Sequence, residues 1–183
     1  LNTRITLAGS RYTPLGSNQY LDYKRDGSIG PKENIINTEV RINTRFAFKE
    51  KFVGQGFTRI SLGTRNPIFQ LNYAKSLPNA FKAEYDYQKL VVNISDRIRI
   101  TPILGYTDYI LEAGKIWGNV PYVLMQLHGG NETYIYDEMA FNMMNYYEFA
   151  SDQYASLGLF HHFEGLFLNK IPLLRKLKWR EVI

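Results

Sequence analysis

Residues 109–163, YILEAGKIWGNVPYVLMQLHGGNETYIYDEMAFNMMNYYEFASDQYASLGLFHHF, decide the fold that we predict for this chain. The segment begins with alternating apolar and polar residues, which is typical of a β-strand with one apolar face. A long connection through Pro121 and Gly129-Gly130 follows, and two more alternating segments are joined at Ser151-Asp152. Long strands with alternately long and short connections are the pattern of an outer-membrane β-barrel.

The same alternation recurs toward the N-terminus. In residues 39–49, Val40 and Ile42 share one face of the predicted strand, whereas Arg41 and Arg45 share the other. The predicted strands cover 3–11, 39–49, 57–65, 68–76, 83–101, a segment from Tyr109, 141–149 and 154–167. Residues 12–38 are predicted as an irregular connection with a short strand at 20–24, residues 102–105 as a turn, and residues 172–178 as a short helical turn.

Composition narrows the function classes. The chain has 183 residues, a formal charge of +5 and no Cys, which excludes disulfides and a Cys nucleophile. It has no run of 18 apolar residues, so no transmembrane helix is expected. Its basic residues are not clustered around a nucleic-acid motif, and no nucleic-acid partner is expected. The first residues are not those of a signal peptide, and we infer a piece of a longer precursor.

Two fold classes fit the alternation: a soluble antiparallel sandwich or barrel, and a membrane barrel. The predicted strands are roughly 9–14 residues long, where a tilted spanning strand needs about 9–11 and soluble strands average about 5–6. We therefore predict an all-β fold, an antiparallel transmembrane β-barrel. The chain would supply roughly eight or nine of its strands, and other strands would close it.

The polar parity of these strands predicts a set of lumen-facing residues: Arg41, Arg45, Arg59, Arg65, Arg97, Arg99, Glu112, Glu148, His162 and Glu164. A net-basic lumen would favour anionic solutes or acidic peptides. Alternatively, these charges pair across neighbouring strands and fill the lumen. Both interpretations stay open at this point.

Catalytic and metal chemistry are not expected. His161 and His162 are adjacent on a strand and point to opposite faces, so they cannot bind one ion. No third zinc ligand is suitably spaced, and no nucleophile elbow accompanies Ser151, Asp152 or Ser156. We expect no cofactor, no metal and no enzymatic activity. The basic tail from Lys170 to Arg180 is predicted to be an exposed loop, or alternatively a site for anionic lipopolysaccharide or a protein partner.

Residues 114–182 and GFTRISLGTRNPIFQLNYAKSLP at 56–78 resemble a Bacteroidetes outer-membrane family. Its members combine a carboxypeptidase-regulatory-like domain near the N-terminus with a domain of unknown function that includes a barrel. The resemblance implies that residues 1–183 are part of an outer-membrane β-barrel domain in the bacterial outer membrane.

More distantly, Ala113-Gly114, Gly118, Pro121 and Gly129-Gly130 are similar to the BamA-like superfamily of bacterial surface antigens. That similarity implies a roughly 16-stranded barrel and a long loop, 114–140, folded toward the lumen. His128, Gly129, Gly130, Tyr134 and Tyr136 would belong to that loop. The superfamily's Val-Arg-Gly-Tyr signature is replaced here by residues 131–136, NETYIY, so the Arg that latches the loop is missing.

The two resemblances imply an outer-membrane barrel acting as a BamA-like scaffold in outer-membrane biogenesis or in protein or solute transport. Its expected partners are outer-membrane lipid and proteins of outer-membrane assembly. The alternatives are a barrel that transports or binds small anions or glycans, and a soluble β-sheet binding module. Upstream periplasmic domains would favour the scaffold function. Unpaired lumen Arg residues would favour the transport or binding of small anions or glycans.

Overall fold

A computed structural model describes residues 1–16, 19–23, 29–54, 59–101, 104–131, 140–146 and 148–182. Six long strands form the main sheet: β1 (Asn2–Tyr12), β4 (Ile35–Ala47), β7 (Ile68–Ser76), β8 (Tyr87–Thr101), β9 (Gly105–Gly118) and β12 (Gln153–His162). Three two-stranded ribbons pair β2 (Tyr20–Tyr23) with β3 (Ile29–Lys32), β5 (Phe52–Val53) with β6 (Ile60–Ser61), and β10 (Gln126–Leu127) with β11 (Ala150–Ser151). The helical segments are Ala80–Lys82, Tyr122–Leu124, Leu168–Lys170 and α1 (Pro172–Arg175).

The main sheet is an antiparallel meander. Its order is β1-β4-β7-β8-β9-β12, so each long strand pairs with the long strands before and after it in the chain. The pairing is in register over most of each strand, as with Leu71 opposite Val92 and Ala155 opposite Ala113. The predicted all-β antiparallel fold is therefore confirmed, with β1 and β12 as the edge strands of an open sheet among the described residues.

The two faces of the sheet have different chemistry. Residues directly opposite each other in neighbouring strands lie on the same face, so the register assigns every side chain. One face, the apolar face, carries Ile5, Leu7, Val40, Ile42, Phe46, Phe69, Leu71, Leu90, Val92, Leu111, Leu157 and Leu159. The other, the polar face, carries Asn37, Glu39, Arg41, Asn43, Arg45, Asn72, Lys89, Asn93, Arg97, Glu112, Tyr154 and Ser156.

Several strand predictions are confirmed. The predicted strand 68–76 has the observed bounds of β7, and residues 87–101 form one strand, as the parity of 83–101 indicated. The strand predicted at 39–49 begins earlier, at Ile35, and ends at Ala47. The connection predicted at 12–38 holds a hairpin whose first strand, Tyr20–Tyr23, matches the predicted short strand.

The strand predicted at 57–65 is wrong: in its described part only Ile60–Ser61 is extended, in a ribbon with Phe52–Val53. The Thr64 hydroxyl and the Asn66 amide both donate to the Phe48 carbonyl, at 2.5 and 3.2 Å. Short polar side chains that bond the backbone in this way compete with strand pairing. They close the described parts of this connection, residues 48–54 and 59–67, into a loop instead.

The strand predicted at 141–149 is also wrong, and Tyr147 lies outside the described residues. Phe141 makes an isolated bridge to Gly130, and the Glu148 carboxylate accepts a hydrogen bond of 3.0 Å from the Asn145 backbone N–H. This local hydrogen bond stabilises a turn instead of a strand. Ser151-Asp152 accordingly does not join two long strands. Because the strands predicted at 57–65 and 141–149 do not form, the sheet has six long strands instead of the predicted eight or nine.

The strand predicted at 154–167 ends at His162, and the chain turns at Glu164 and Gly165, both of which have positive φ. The predicted helical turn in the tail is present as Pro172–Arg175. Val182 then makes an antiparallel bridge to His162.

The connections divide between the two ends of the strands. Residues 13–34, 77–86 and 119–152 join strands at one end, which we call the long-connection end. Residues 48–67 and 102–104 join strands at the opposite end. Without a strand at 57–65, the long connection at 13–34 falls on the same end as the one at 119–152. The connection 48–67 at the opposite end is also long, so the predicted alternation of long and short connections holds only in part.

A small core lies at the long-connection end. Ile35, Tyr87, Ile116 and Leu124 are buried against one another, with Val120 and Val123 packed beside them. The first three are at strand ends on the polar face, whereas Leu124 comes from the connection 119–152. The beginning of this connection therefore lies on the polar face of the sheet.

Position 114 requires glycine, because the Tyr154 ring lies too close to its backbone for a larger side chain. A Cβ at Gly114 would lie 2.3 Å from the Tyr154 ring, directly opposite it in β12. Gly114→Val should therefore displace Tyr154 and lower the free energy of unfolding by about 1–3 kcal/mol, as overpacking does. Ala113→Val is the matched control, because Ala113 is exposed on the apolar face. Urea unfolding of the two variants of the full-length protein checks this, and equal midpoints would contradict it.

Candidate functional site

A buried polar cluster occupies the polar face at the long-connection end. The Tyr87 hydroxyl donates to the Glu39 carboxylate at 2.5 Å and accepts from the Asn37 amide at 2.8 Å. The Arg41 guanidinium forms an ion pair with the same carboxylate. Glu39 is only 5% exposed, and a buried carboxylate needs such partners to offset its lost hydration.

Ser76 fixes the position of Tyr87. Its hydroxyl accepts from the Tyr87 backbone N–H at 2.7 Å and donates to the Tyr87 carbonyl at 3.1 Å. Ser76 is fully buried, so both bonds are shielded from water. The ring of Tyr87 is thereby held between the core and Glu39.

A second row of polar contacts lies on the polar face, and one of them joins the sheet to the connection 119–152. The Lys89 ammonium donates to the Gln126 side-chain oxygen at 2.7 Å, across the space between strand and connection. The Glu112 carboxylate accepts from the Tyr154 hydroxyl at 2.6 Å and from the Asn93 amide at 3.4 Å. The Lys89–Gln126 bond holds the connection against β8, whereas the bonds of Glu112 link β8, β9 and β12 within the sheet.

At the opposite end of the polar face, ion pairs bind neighbouring strands. Arg97 donates two bonds to Asp108, at 2.7 and 2.8 Å, and its guanidinium lies 4.0 Å from the centroid of the Tyr106 ring. The Tyr106 ring also stacks on His162, with centroids 4.5 Å apart. Two parallel N–H···O bonds of this kind are geometrically specific, so Arg97 is held by its acidic neighbour.

A cavity of about 360 Å³ lies between the polar face and the connection. It exists because β7 contributes small side chains there. Ala74 is directly opposite Arg41 on one side and Lys89 on the other, so it leaves a trough between two long side chains. Val123, Leu124 and Met125 line the cavity from the connection.

Comparison with protein families gives a match over nearly the whole chain. The model of the C-terminal domain of a family of unknown function, DUF5686, covers residues 3–183. The chain belongs to this family. Neither the search of curated proteins nor the search of solved structures returns a significant match.

The polar face of this DUF5686 domain contains six of the ten residues predicted to face a lumen: Arg41, Arg45, Arg97, Arg99, Glu112 and His162. Arg59 and Arg65 lie in the loop 48–67, and Glu148 lies in the connection 119–152. Glu164 follows β12 and pairs with Arg180 instead of facing His162. The four misplacements follow from the two wrong strands and from the early end of β12.

The predicted loop residues His128, Gly129 and Gly130 lie in the connection 119–152, where the His128 ring contacts Tyr154 and Phe141. Tyr134 and Tyr136 lie outside the described residues, as does the remainder of 132–139. The described residues of this connection cover part of the polar face. That this face lines a lumen stays a prediction.

The histidines form no metal site within the described part of the chain. His161 and His162 are on opposite faces, as expected: His161 bonds the Thr107 hydroxyl at 2.8 Å, and His162 lies 3.9 Å from Asp108. His128 is 3.1 Å from the Ser151 hydroxyl beside a second cavity of about 460 Å³. No helix among the described residues is long and apolar enough to cross a membrane.

Sequence reasoning missed the acids that pair with the arginines. Glu39, Glu50 and Asp108 are the partners, whereas Glu112 pairs with Tyr154. One signal was available for Glu39, because it shares the odd parity of Arg41 in the same strand. Its buried partner Tyr87 is distant in sequence and gave no signal.

Glu50 gives this DUF5686 domain a testable dependence on pH. Hydrogen bonds from Arg45, at 2.7 and 2.9 Å, and from Ser61 lower the pKa of the Glu50 carboxyl to about 2, from an ordinary value of 4.5. The stabilisation is therefore complete above pH 4.5 and is lost as the pH falls through 2. Carbon-13 NMR of the carboxyl should show this low midpoint.

Two variants separate the contributions of Arg45 and Ser61 to the low pKa of Glu50. Arg45→Gln should return the Glu50 midpoint most of the way toward 4.5, because the bonds from Arg45 are the largest influence. Ser61→Ala should raise it less. A midpoint near 4.5 in the unmodified protein would contradict the Arg45–Glu50 pairing.

Proposed function

We propose that this domain is a section of an outer-membrane β-barrel wall, in a protein that acts as a BamA-like scaffold in outer-membrane biogenesis or transport. The observation that carries the proposal is the exposed apolar face. Ile5, Leu7, Leu157 and Leu159 are between 59 and 71% exposed although they lie within strands. A contiguous apolar surface of this kind marks a membrane or a partner.

Strand length and aromatic placement favour a membrane over a protein partner. The long strands have 9 to 15 residues, which meets the requirement of about 9–11 for a tilted span. Phe46, Phe69 and Trp117 stand on the apolar face at strand ends and are 44–45% exposed. Outer-membrane barrels carry aromatic girdles at these levels. The lipid of a bacterial outer membrane is the expected partner of this face.

The polar face favours a scaffold over an open pore. Arg41, Arg45 and Arg97 each pair with an acidic side chain, and the connection 119–152 covers part of the face. Paired charges attract a passing anion weakly, because their fields largely cancel. The small-anion or glycan transport function is therefore the second choice for the face as a whole.

The edges of the sheet fit a wall that continues. Val182 pairs with His162, and the Phe163 backbone N–H donates to the Glu181 carbonyl at 3.0 Å. These bonds place the tail beside the free edge of β12. A strand added here would extend the meander, and a closed barrel leaves no exposed edge. A roughly 16-stranded wall in a Bacteroidetes outer-membrane protein, with proteins of outer-membrane assembly as partners, is the form that we propose.

Fractionation of cells that produce the full-length protein tests this proposal. We expect the protein in the outer-membrane fraction, resistant to carbonate extraction and migrating faster on SDS gels before boiling than after it. Depletion of a scaffold should lower the amount of other folded outer-membrane barrels. Recovery in the soluble fraction would contradict the membrane assignment. Normal barrel levels together with a lost solute flux would favour the transport function.

A further inference from the structure

Charge is divided unequally between the two ends of the strands. At the long-connection end, residues 13–34, 77–86 and 119–152 contain ten Asp and Glu but four Lys and Arg, a formal charge of −6. At the opposite end, the loop 48–67 and the tail 163–182 contain nine Lys and Arg but three Asp and Glu, a formal charge of +6. We call this loop and this tail together the basic end.

The three acids of the basic end are already engaged within the chain. Glu50 accepts from Arg45, and Glu164 pairs with Arg180. The Glu181 carboxylate accepts from two backbone N–H groups of the tail. Eight exposed cations of the basic end therefore have no acidic partner in the described chain: Lys49, Lys51, Arg59, Arg65, Lys170, Arg175, Lys176 and Lys178.

Exposed apolar side chains stand between these cations. In the tail, Leu173 and Trp179 are 82 and 55% exposed, and in the loop, Phe52, Ile60 and Leu62 are 54–63% exposed. A basic surface that faces only water carries polar residues between its charges. A surface at the head-group level of a membrane combines Lys and Arg with apolar and aromatic residues, because it contacts both phosphates and acyl chains. The composition of the basic end matches the second kind of surface.

The tail contains the most concentrated group of these cations. Lys170, Arg175 and Lys176 line a hollow of about 430 Å³, together with Asn169 and Pro172. The hollow forms because α1 is a single helical turn, which brings Arg175 and Lys176 close to the residue that precedes it. Among the described residues, no acidic side chain lines this space. A phosphate group placed here would accept hydrogen bonds from three cations at once.

We propose that the basic end binds anionic phospholipids, with one lipid phosphate in the hollow of Lys170, Arg175 and Lys176. Leu173 and Trp179 would enter the boundary of the acyl chains beside it. The inference rests on the proposed membrane wall, since the loop and the tail then meet the same bilayer surface. Barrels carry their longer loops outside, and the longest connection is at the other end, so this surface would be the phospholipid leaflet that faces the periplasm.

Native mass spectrometry of the purified full-length protein in nonionic detergent tests the site, with phosphatidylglycerol, phosphatidylcholine and glycerol phosphate as ligands. We expect phosphatidylglycerol to bind at least about tenfold more tightly than the other two, because only it has both a net negative charge and acyl chains. The triple variant Lys170→Gln, Arg175→Gln, Lys176→Gln should weaken this binding by about 100-fold, since each basic residue beside an anionic lipid contributes about fivefold.

The triple variant Arg11→Gln, Lys82→Gln, Lys115→Gln is the matched control. It removes the same charge from three exposed residues at the long-connection end, so phosphatidylglycerol binding should be unchanged. Circular dichroism would confirm that both variants are folded. Equal binding of phosphatidylcholine or glycerol phosphate, or an equal loss in the control, would overturn the proposal. Tighter binding of lipopolysaccharide or of polyglutamate would also overturn it, in favour of the other leaflet or of an acidic protein partner.

Failure of the membrane wall itself gives a different result. A protein without that wall would remain soluble and monodisperse when the detergent is removed. A protein that requires detergent but binds phosphatidylglycerol and phosphatidylcholine equally would contradict only the inference about the basic end.

Discussion

Arginine at position 157 is expected to keep the protein from inserting into the outer membrane, or to destabilise the inserted barrel by about 2–4 kcal/mol. Leu157 is 60% exposed in the middle of β12, opposite Leu111 on the apolar face. If lipid covers this face, a guanidinium there must leave water without gaining a partner. Heat-modifiability on gels measures the loss of insertion, and urea unfolding in lipid vesicles measures the loss of stability.

Ser156→Arg is the control one residue away. Ser156 is directly opposite Glu112 on the polar face, so the new guanidinium has a carboxylate to pair with. Arg substitutions at Val92 and at Asn93 in β8 repeat the comparison, since these two residues also lie on opposite faces. Equal effects of Arg at Leu157 and at Ser156 would reject the assignment of the apolar face to lipid.

Shortening Leu124 should release the connection 119–152 from the polar face. Leu124 is 8% exposed among Ile35, Tyr87 and Ile116, and removing a buried Leu side chain costs about 2–5 kcal/mol. A local loss of about 2 kcal/mol raises the opened population by about 30-fold. Leu124→Ala should therefore increase the rate of subtilisin cleavage within residues 119–131 by at least about that factor, because cleavage follows local opening.

Leu15→Ala provides the comparison, because Leu15 is 87% exposed in the connection 13–34. Its cleavage rate should match that of the unmodified protein. Rapid cleavage of the unmodified protein within residues 119–131 would contradict the contacts of Leu124 with the sheet.

The sheet could be predicted from sequence where burial and strand pairing control the residue pattern. β7, and β8 as far as Arg99, keep one parity, because each side chain must face either the apolar or the polar side. The prediction failed where local bonds decide the structure. Thr64 and Asn66 bind the Phe48 carbonyl, and Glu148 caps a turn, although the surrounding residues alternate as a strand would.

The polar face was predictable by parity, but its contacts were not. Arg41, Arg45 and Arg97 could be assigned to one face, whereas their partners depend on which strand lies beside them and in what register. The cavity depends on a further detail: a small residue, Ala74, between Arg41 and Lys89. Three strands must be aligned before this juxtaposition appears, so no pattern within one strand indicates it.

The most direct test of the proposed membrane wall is spin labelling along β12. The chain has no Cys, so one introduced cysteine is the only thiol in residues 1–183. Labels at positions 155, 157 and 159 should collide with oxygen dissolved in lipid, and labels at 154, 156 and 158 should not. We predict this period of two in full-length protein reconstituted in vesicles. High accessibility to a water-soluble nickel complex at 155, 157 and 159 would contradict the assignment of the apolar face to the membrane.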